Sequence, residues 1–150
     1  MRRTDRQISE SDSFEILEKG EYGILSMVNE SNEPYGIPVN YCVVDDALYF
    51  HCALEGLKTN IITKNNSVSF CVVGSTEILP GKFGTLYESC IVKGSAAEVY
   101  SEEKQKALEG LLLKYSAKFL GEGARYIEKL TTKTRVYRIL IDTITGKARR

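Results

Sequence analysis

The spacing of apolar residues changes period about twenty residues into the chain. Over Glu10–Lys19 the apolar positions Phe14 and Leu17 recur at helical spacing, with Ser9 or Ser11 placed to cap the first turn and Gly20 to stop the last. From Tyr22 the period falls to two. Tyr22–Val28 reads as a strand, N-E-S-N-E-P as the turn behind it, and Tyr35–Val44 as a second strand with Pro38 in its interior. Asp45-Asp46 forms a tight turn into a third strand, Ala47–Cys52.

Gly56–Asn65 predicts a short helix, and Ser67–Val73 a strand with Val68, Phe70 and Val72 on one face. Gly74–Leu86, with Pro80, Gly81 and Gly84, reads as a loop. Tyr87–Tyr100 is a long strand in which Gly94 marks a bulge or a barrel corner. Ser101 caps a helix with Glu102 and Glu103 in its first turn, and Leu108, Leu111, Leu112, Tyr115 and Phe119 follow at helical spacing. Gly121 and Gly123 break that helix, Ala124–Leu130 adds another turn or two, and Thr134–Ile141 is the last strand. Six or so strands joined by hairpins, with few helices between them, predict a mainly β (α+β) fold. The expected architecture is an antiparallel barrel rather than a doubly wound sheet. No internal repeat interrupts residues 1–150, which read as one domain.

A chain of 150 residues buries roughly 70% of the surface its unfolded form exposes, so a core is expected without metal or disulfide. Its 20 basic and 20 acidic residues cancel, leaving no global field toward nucleic acid or an acidic membrane. The basic start, M-R-R-T-D-R, has no apolar stretch behind it, and no run approaches the length of a membrane span. A cytoplasmic protein is expected. Cys42, Cys52, Cys71 and Cys90 lie in separate strand-like segments without paired spacing, so free thiols and no metal site are expected.

Two glycine-rich stretches are weak as phosphate loops. G-E-G-A-R-Y follows a helix and lacks a third glycine, and G-S-T-E-I-L-P-G-K-F has no Ser or Thr after Lys82. Positive charge gathers at Lys129, Lys133, Arg135 and Arg138, but without an aromatic RNA-binding motif it reads as a solvated face. No G-x-S-x-G elbow accompanies the single histidine, His51.

Richer chemistry lies in Y-F-H-C-A-L-E-G-L-K, where a strand gives way to a helix. Lys58 stands in the first turn of that helix, where the dipole disfavours a cation unless an anion sits there too. Free N–H groups, a nearby glycine at Gly56 and a lysine charge together suit a phosphate. From these residues alone, mere strand-to-helix punctuation and a phosphate cradle both stay open.

The stretches P-Y-G-I-P-V-N-Y, L-Y-F-H-C-A-L-E-G-L-K, N-N-S-V-S-F-C-V-V-G and Y-E-S-C-I-V-K-G-S-A, with the closing I-T-G-K, resemble one family. It is the nitroimidazole-resistance (Nim) branch of the pyridoxamine-phosphate-oxidase-like, FMN-binding split-barrel proteins. The resemblance runs from about Arg2 to Lys147. It implies a six-stranded split barrel and a homodimer with flavin at the subunit interface. It places the FMN phosphate on Lys58, helped by the backbone near Gly56 and Leu57. The isoalloxazine ring would lie along Pro38, Val39, Asn40 and Tyr41 and against His51, Cys52 and Ala53. Ser89 matches a flavin-contacting position of the wider superfamily, with Glu88 beside it.

The departures bear on the activity. The true oxidases carry an arginine where this chain has Leu57, another near Gly36 or Ile37, and a C-terminal arginine segment that has no counterpart in I-T-G-K-A-R-R. The resemblance therefore implies an FMN-dependent oxidoreductase passing electrons to a small acceptor, such as a 5-nitroimidazole, and not oxidation of pyridoxamine phosphate. His51 is the candidate catalytic residue, able to donate a proton or to hydrogen-bond the ring or substrate. A haem-binding protein with His51 as axial ligand, and a flavin-binding protein without turnover, are the alternatives on the same fold.

Overall fold

The computed structural model describes residues 3–150, so Met1 and Arg2 of the basic start lie outside it. After a two-residue strand, β1 (Gln7–Ile8), Ser9 caps α1 (Glu10–Lys19), its Oγ accepting the Asp12 N–H at 3.0 Å. The helix closes at Gly20 as expected, with Leu17 fully buried and Phe14 packed against the core. Then come β2 (Gly23–Val28), β3 (Pro34–Val39), β4 (Cys42–Val44) and β5 (Ala47–Ala53). Asp45 and Asp46 both take left-handed backbone angles (φ 49° and 60°), as a two-residue hairpin turn requires.

The expected single strand Tyr35–Val44 is two strands, and the reason is Tyr41. Its side chain is wholly buried, and its hydroxyl donates to the Leu17 carbonyl, which takes Asn40-Tyr41 out of the ladder. Pro38 is tolerated because β3 is an edge strand, paired only with β2.

After α2 (Leu57–Lys64), β6 (Ser67–Leu79) and β7 (Gly84–Val99) form a hairpin much longer than predicted. The expected loop Gly74–Leu86 is mostly ladder. A bulge between Val73 and Thr76 absorbs the irregularity, and only Pro80–Lys82 and the left-handed Phe83 make the turn. Gly94 does mark a bulge: a Cβ there would lie 1.9 Å from the Leu140 carbonyl oxygen.

The helix α3 (Ser101–Ser116) is entered without a serine cap. Tyr100 holds the cap position, and Ser101 turns the chain with φ 51°. Nor do Gly121 and Gly123 break the helix. The break falls earlier, at Ala117–Phe119, leaving Phe119 62% exposed, and both glycines lie within α4 (Leu120–Leu130). Gly123 is there for close approach, since a Cβ would sit 2.1 Å from Leu112 Cδ1. The last strand, β8 (Thr134–Arg149), runs well past the predicted Ile141.

The eight strands, where six were expected, form one antiparallel sheet in the order β3-β2-β6-β7-β8-β5-β4, with β1 paired to β8. Its two edges, β3 and β4, are joined by only two residues, which bridge at most ~11 Å. The sheet must therefore curl until its edges nearly meet: a split barrel with peripheral helices. Inside pack Leu25, Tyr41, Leu48, Phe50, Phe70 and Ile139, with the Tyr41 and Phe70 rings edge to face at 4.9 Å. A second cluster joins the outer face of β5 to α3 and α4 through Tyr49, Leu108, Leu111 and Ile127. Among the described residues no helix is long and apolar enough to cross a membrane.

Candidate functional site

Strand alternation decides what His51 can reach. On β5, Leu48 and Phe50 point into the barrel, while Ala47 and Tyr49 face α3; His51 continues the second row. Its ring lines a cavity of about 260 Å³ between the sheet and the α3–α4 pair. Cys52, on the opposite face, packs against the barrel core. The two neighbours therefore cannot act on one ligand as a pair of side chains.

The strand ends in the exposed Ala53, and the chain turns at Gly56, whose φ of 151° favours glycine and whose missing side chain leaves open space. No side chain caps the N-terminus of α2, and its first turn holds no acidic residue. Thr59 Oγ1 donates to the Gly56 carbonyl at 2.7 Å and so caps none of these N–H groups. Lys58 is half-buried, with Nζ 5.7 Å from the centroid of the Phe50 ring, and among the described residues no carboxylate pairs with it. Uncapped N–H groups and an unpaired lysine at one helix start suit a phosphate or another anion.

Electrostatics follow from this crowding. The His51 pKa is lowered, first by partial desolvation and then by the Lys58 charge, so the ring is neutral at pH 7. Burial raises the Cys52 thiol despite the nearby Lys58 and Arg135 charges. Cys52 is thus a thiol, not a thiolate, at neutral pH.

Asn40 is exposed and lines the same cavity as His51, from the sheet side. Pro38 faces outward from β3, whereas Val39 packs toward the core. With the Tyr41 side chain buried, only its backbone can face a ligand. Of the predicted residues, Asn40 and His51 line this one cavity, whereas Leu57 at the start of α2 lines a separate depression with Asn29 and Glu30 of the β2–β3 turn. Glu88 and Ser89 do not join them. They pair with Ala148 and Lys147 on β8, whereas His51 pairs with Val136, so up to ~36 Å of strand separates the two groups. Glu88 is instead held by Arg150 at 3.4 Å.

Sequence reasoning missed the far wall. Leu111, Leu112, Tyr115, Tyr126 and Ile127 line the cavity opposite His51. Helical spacing signals a buried face in α3, but not that this face encloses space beside His51. Lys114 was also missed. Its Nζ is buried without a hydrogen-bond partner, 3.7 Å from the centroid of the Tyr41 ring, and burial lowers its pKa.

The family pattern described as pyridoxamine 5'-phosphate oxidase matches residues 9–148, nearly the whole chain. The chain belongs to that family. Among solved structures, it is similar to a Bacteroides thetaiotaomicron protein described as a candidate 5-nitroimidazole antibiotic resistance protein, at 21% identity and TM-score 0.81, covering 94% of this chain and 85% of that one. A FAD-binding protein from Mesorhizobium loti matches at 23% identity and TM-score 0.68, covering 97% and 98%. A FAD and haem binding protein from Mycobacterium smegmatis matches at 16% identity and TM-score 0.80, covering 95% and 73%. At these identities the likeness establishes the fold. No curated protein sequence matches. Among the described residues no group of three or more His, Cys, Asp or Glu could hold a metal ion.

Proposed function

We propose that this member of the pyridoxamine 5'-phosphate oxidase family is a cytoplasmic FMN-dependent oxidoreductase of the nitroimidazole-resistance type, working as a homodimer. The observation that carries the reading is the unpaired Lys58 at the uncapped start of α2, next to the neutral His51. When bound, the flavin supplies the redox chemistry, delivering electrons to a small acceptor such as a 5-nitroimidazole. Lys58 and the N–H groups of Leu57 and Lys58 hold its phosphate. The backbone of Pro38–Tyr41 and the ring of His51 border its isoalloxazine. His51 donates a hydrogen bond to ring or acceptor without carrying a charge of its own. Leu57 stands where the true oxidases have an arginine, which speaks against oxidation of pyridoxamine phosphate.

The dimer reading draws on the sheet's uncovered face. A cross-strand row of small and apolar residues, Pro38–Ile24–Cys71–Ile91–Thr145, runs across five strands, and Val73 lies beside it. Val73 is 59% and Ile91 44% exposed. Ser89 lies on this same face, cross-strand from Val73, so in the proposed dimer it would meet the second subunit, whereas Glu88 points to the opposite face beside Gly74 and Ser75.

The absorption spectrum of freshly purified protein, followed by titration of flavin-free protein with FMN, tests this. A flavin spectrum, or saturable FMN binding at one per chain, supports it. A Soret band instead of flavin would move the assignment to haem with His51 as axial ligand, and neither signal would overturn both.

A further inference from the structure

The cavity beside His51 has a chemistry of its own. Its floor is the outer face of β5 and its roof the α3–α4 pair, and its walls are mainly the leucines of α3 with Tyr115, Tyr126 and Ile127. Asn40 and His51 contribute hydrogen-bonding groups from the sheet side, and Thr131 and Thr134 from the approach to β8. No lysine, arginine, aspartate or glutamate lines it. Arg125 and Lys129 lie on α4 but are not among the lining residues.

Size and charge together select an occupant. An apolar cavity of about 150 Å³ holds one benzene ring. At about 260 Å³ this one has room for one substituted ring or two fused rings, and falls below the range of drug-sized sites. A carboxylate or phosphate would have to shed water here with no cation to replace it, and a charged amine would find no carboxylate. The neutral His51 offers one hydrogen bond but no countercharge.

We propose that this cavity is the acceptor pocket, and that it admits uncharged aromatic molecules of one or two rings while rejecting anionic ones through the absence of any charged residue in its walls. The role as acceptor pocket rests on the flavin reading; the selection against charge does not. Leu112 and Tyr126 are then specificity-determining residues. Leu112 fills the roof where Gly123 lets α4 close on it, and Tyr126 stands at the rim, 66% exposed.

The test is equilibrium dialysis of nitrobenzene and 4-nitrobenzoate against flavin-free protein, repeated with FMN present. The two probes share a ring and a nitro group and differ in charge. Nitrobenzene is expected to bind one per chain and at least tenfold more tightly than 4-nitrobenzoate. Leu112→Trp should abolish binding by filling the space. Tyr126→Ala, at an exposed position that does not threaten folding, should weaken it several-fold. Ser116→Arg, which places a cation in the wall, should bring 4-nitrobenzoate within a few-fold of nitrobenzene. Equal affinity for both probes in the unaltered protein, or nitrobenzene binding that neither Leu112→Trp nor Tyr126→Ala changes, would overturn the proposal. Selective nitrobenzene binding in a protein that takes up no FMN would keep the pocket and remove the flavin reading instead.

Discussion

The hydroxyl of Tyr115 holds the backbone of Tyr41 at both ends. It accepts the Tyr41 N–H at 3.0 Å and lies 2.9 Å from the Tyr41 carbonyl oxygen, with the Glu21 carbonyl 2.6 Å away as a second acceptor for its single proton. The gap between β3 and β4, the split of the barrel, is therefore pinned by a side chain from α3. Because Asn40 stands in this gap and lines the cavity, Tyr115 also fixes one wall of the site.

Tyr115→Phe should accordingly cost about 1–2 kcal/mol, since a partly buried N–H and carbonyl lose their partner while the ring still packs. Urea denaturation of the flavin-free protein measures it. A lower midpoint with an unchanged slope is expected, and a change below about 0.3 kcal/mol would show that water replaces the hydroxyl without loss.

Gly94 offers a sharper test of the fold. With a Cβ 1.9 Å from a backbone oxygen, Gly94→Ala cannot be absorbed by a rotamer change and must force β7 and β8 apart at the bulge. A cost of about 3 kcal/mol is expected, or roughly 6–12 °C in Tm for a chain of this size. A thermal midpoint within a degree or two of the unaltered protein would show that the bulge relocates.

Gly94 was legible in the sequence because glycine inside a strand pattern has few physical reasons to be there. So was the turn at Asp45-Asp46, and so was the separation of His51 from Cys52, which needs only the alternation of a strand. The β6–β7 arm was not legible: Gly74, Pro80, Gly81 and Gly84 signal a loop locally, while the pairing that overrides them comes from a strand beyond the turn. Tyr41 misled for a similar reason. Its place in an apolar run suits a strand, but a buried hydroxyl needs a partner and found one on α1. The helix start at Gly56–Lys58, without a side-chain cap or an acidic first turn, was readable from local chemistry. The α3–α4 wall was not, because it is brought to His51 only by tertiary packing.

His51 is the only histidine, so its ring gives one resolvable titration by proton NMR. Its midpoint should fall below 6.5, and Lys58→Ala should move it back upward by removing the second cause of the shift. The sign for stability follows. The unfolded chain takes up this proton at higher pH than the folded one, so stability rises with pH across the window just below 6.5 and is lost as pH falls through it. A midpoint above 6.5 in the flavin-free protein would mean that an anion or carboxylate faces the ring.

The uncovered sheet face predicts the assembly. Sedimentation at micromolar concentration should give a dimer, with an interface near ~1,600 Å² or larger. Ile91→Asp sits at the centre of the apolar row and should yield monomers with little change in chain stability, since the position is exposed. If the partner supplies Ser89 to the site, the same variant should also weaken FMN binding. Monomers that retain full FMN affinity would place Ser89 outside it.

Lys58 separates a phosphate cradle from a simple strand-to-helix join. Lys58→Ala removes a charge-assisted hydrogen bond worth roughly 1.5–3 kcal/mol, equivalent to about a 10- to 150-fold loss of FMN affinity. Riboflavin has the same ring system and no phosphate, so its binding should barely respond. Stability without flavin should hold or rise slightly, because the substitution takes a cation away from a helix N-terminus. Flavin-fluorescence titration of both proteins with both ligands distinguishes the outcomes. A loss confined to FMN assigns the phosphate to α2. An equal loss for both ligands would mean that Lys58 acts through its packing over Phe50, and no loss for either would leave Gly56 and Lys58 as the join between β5 and α2 and nothing more.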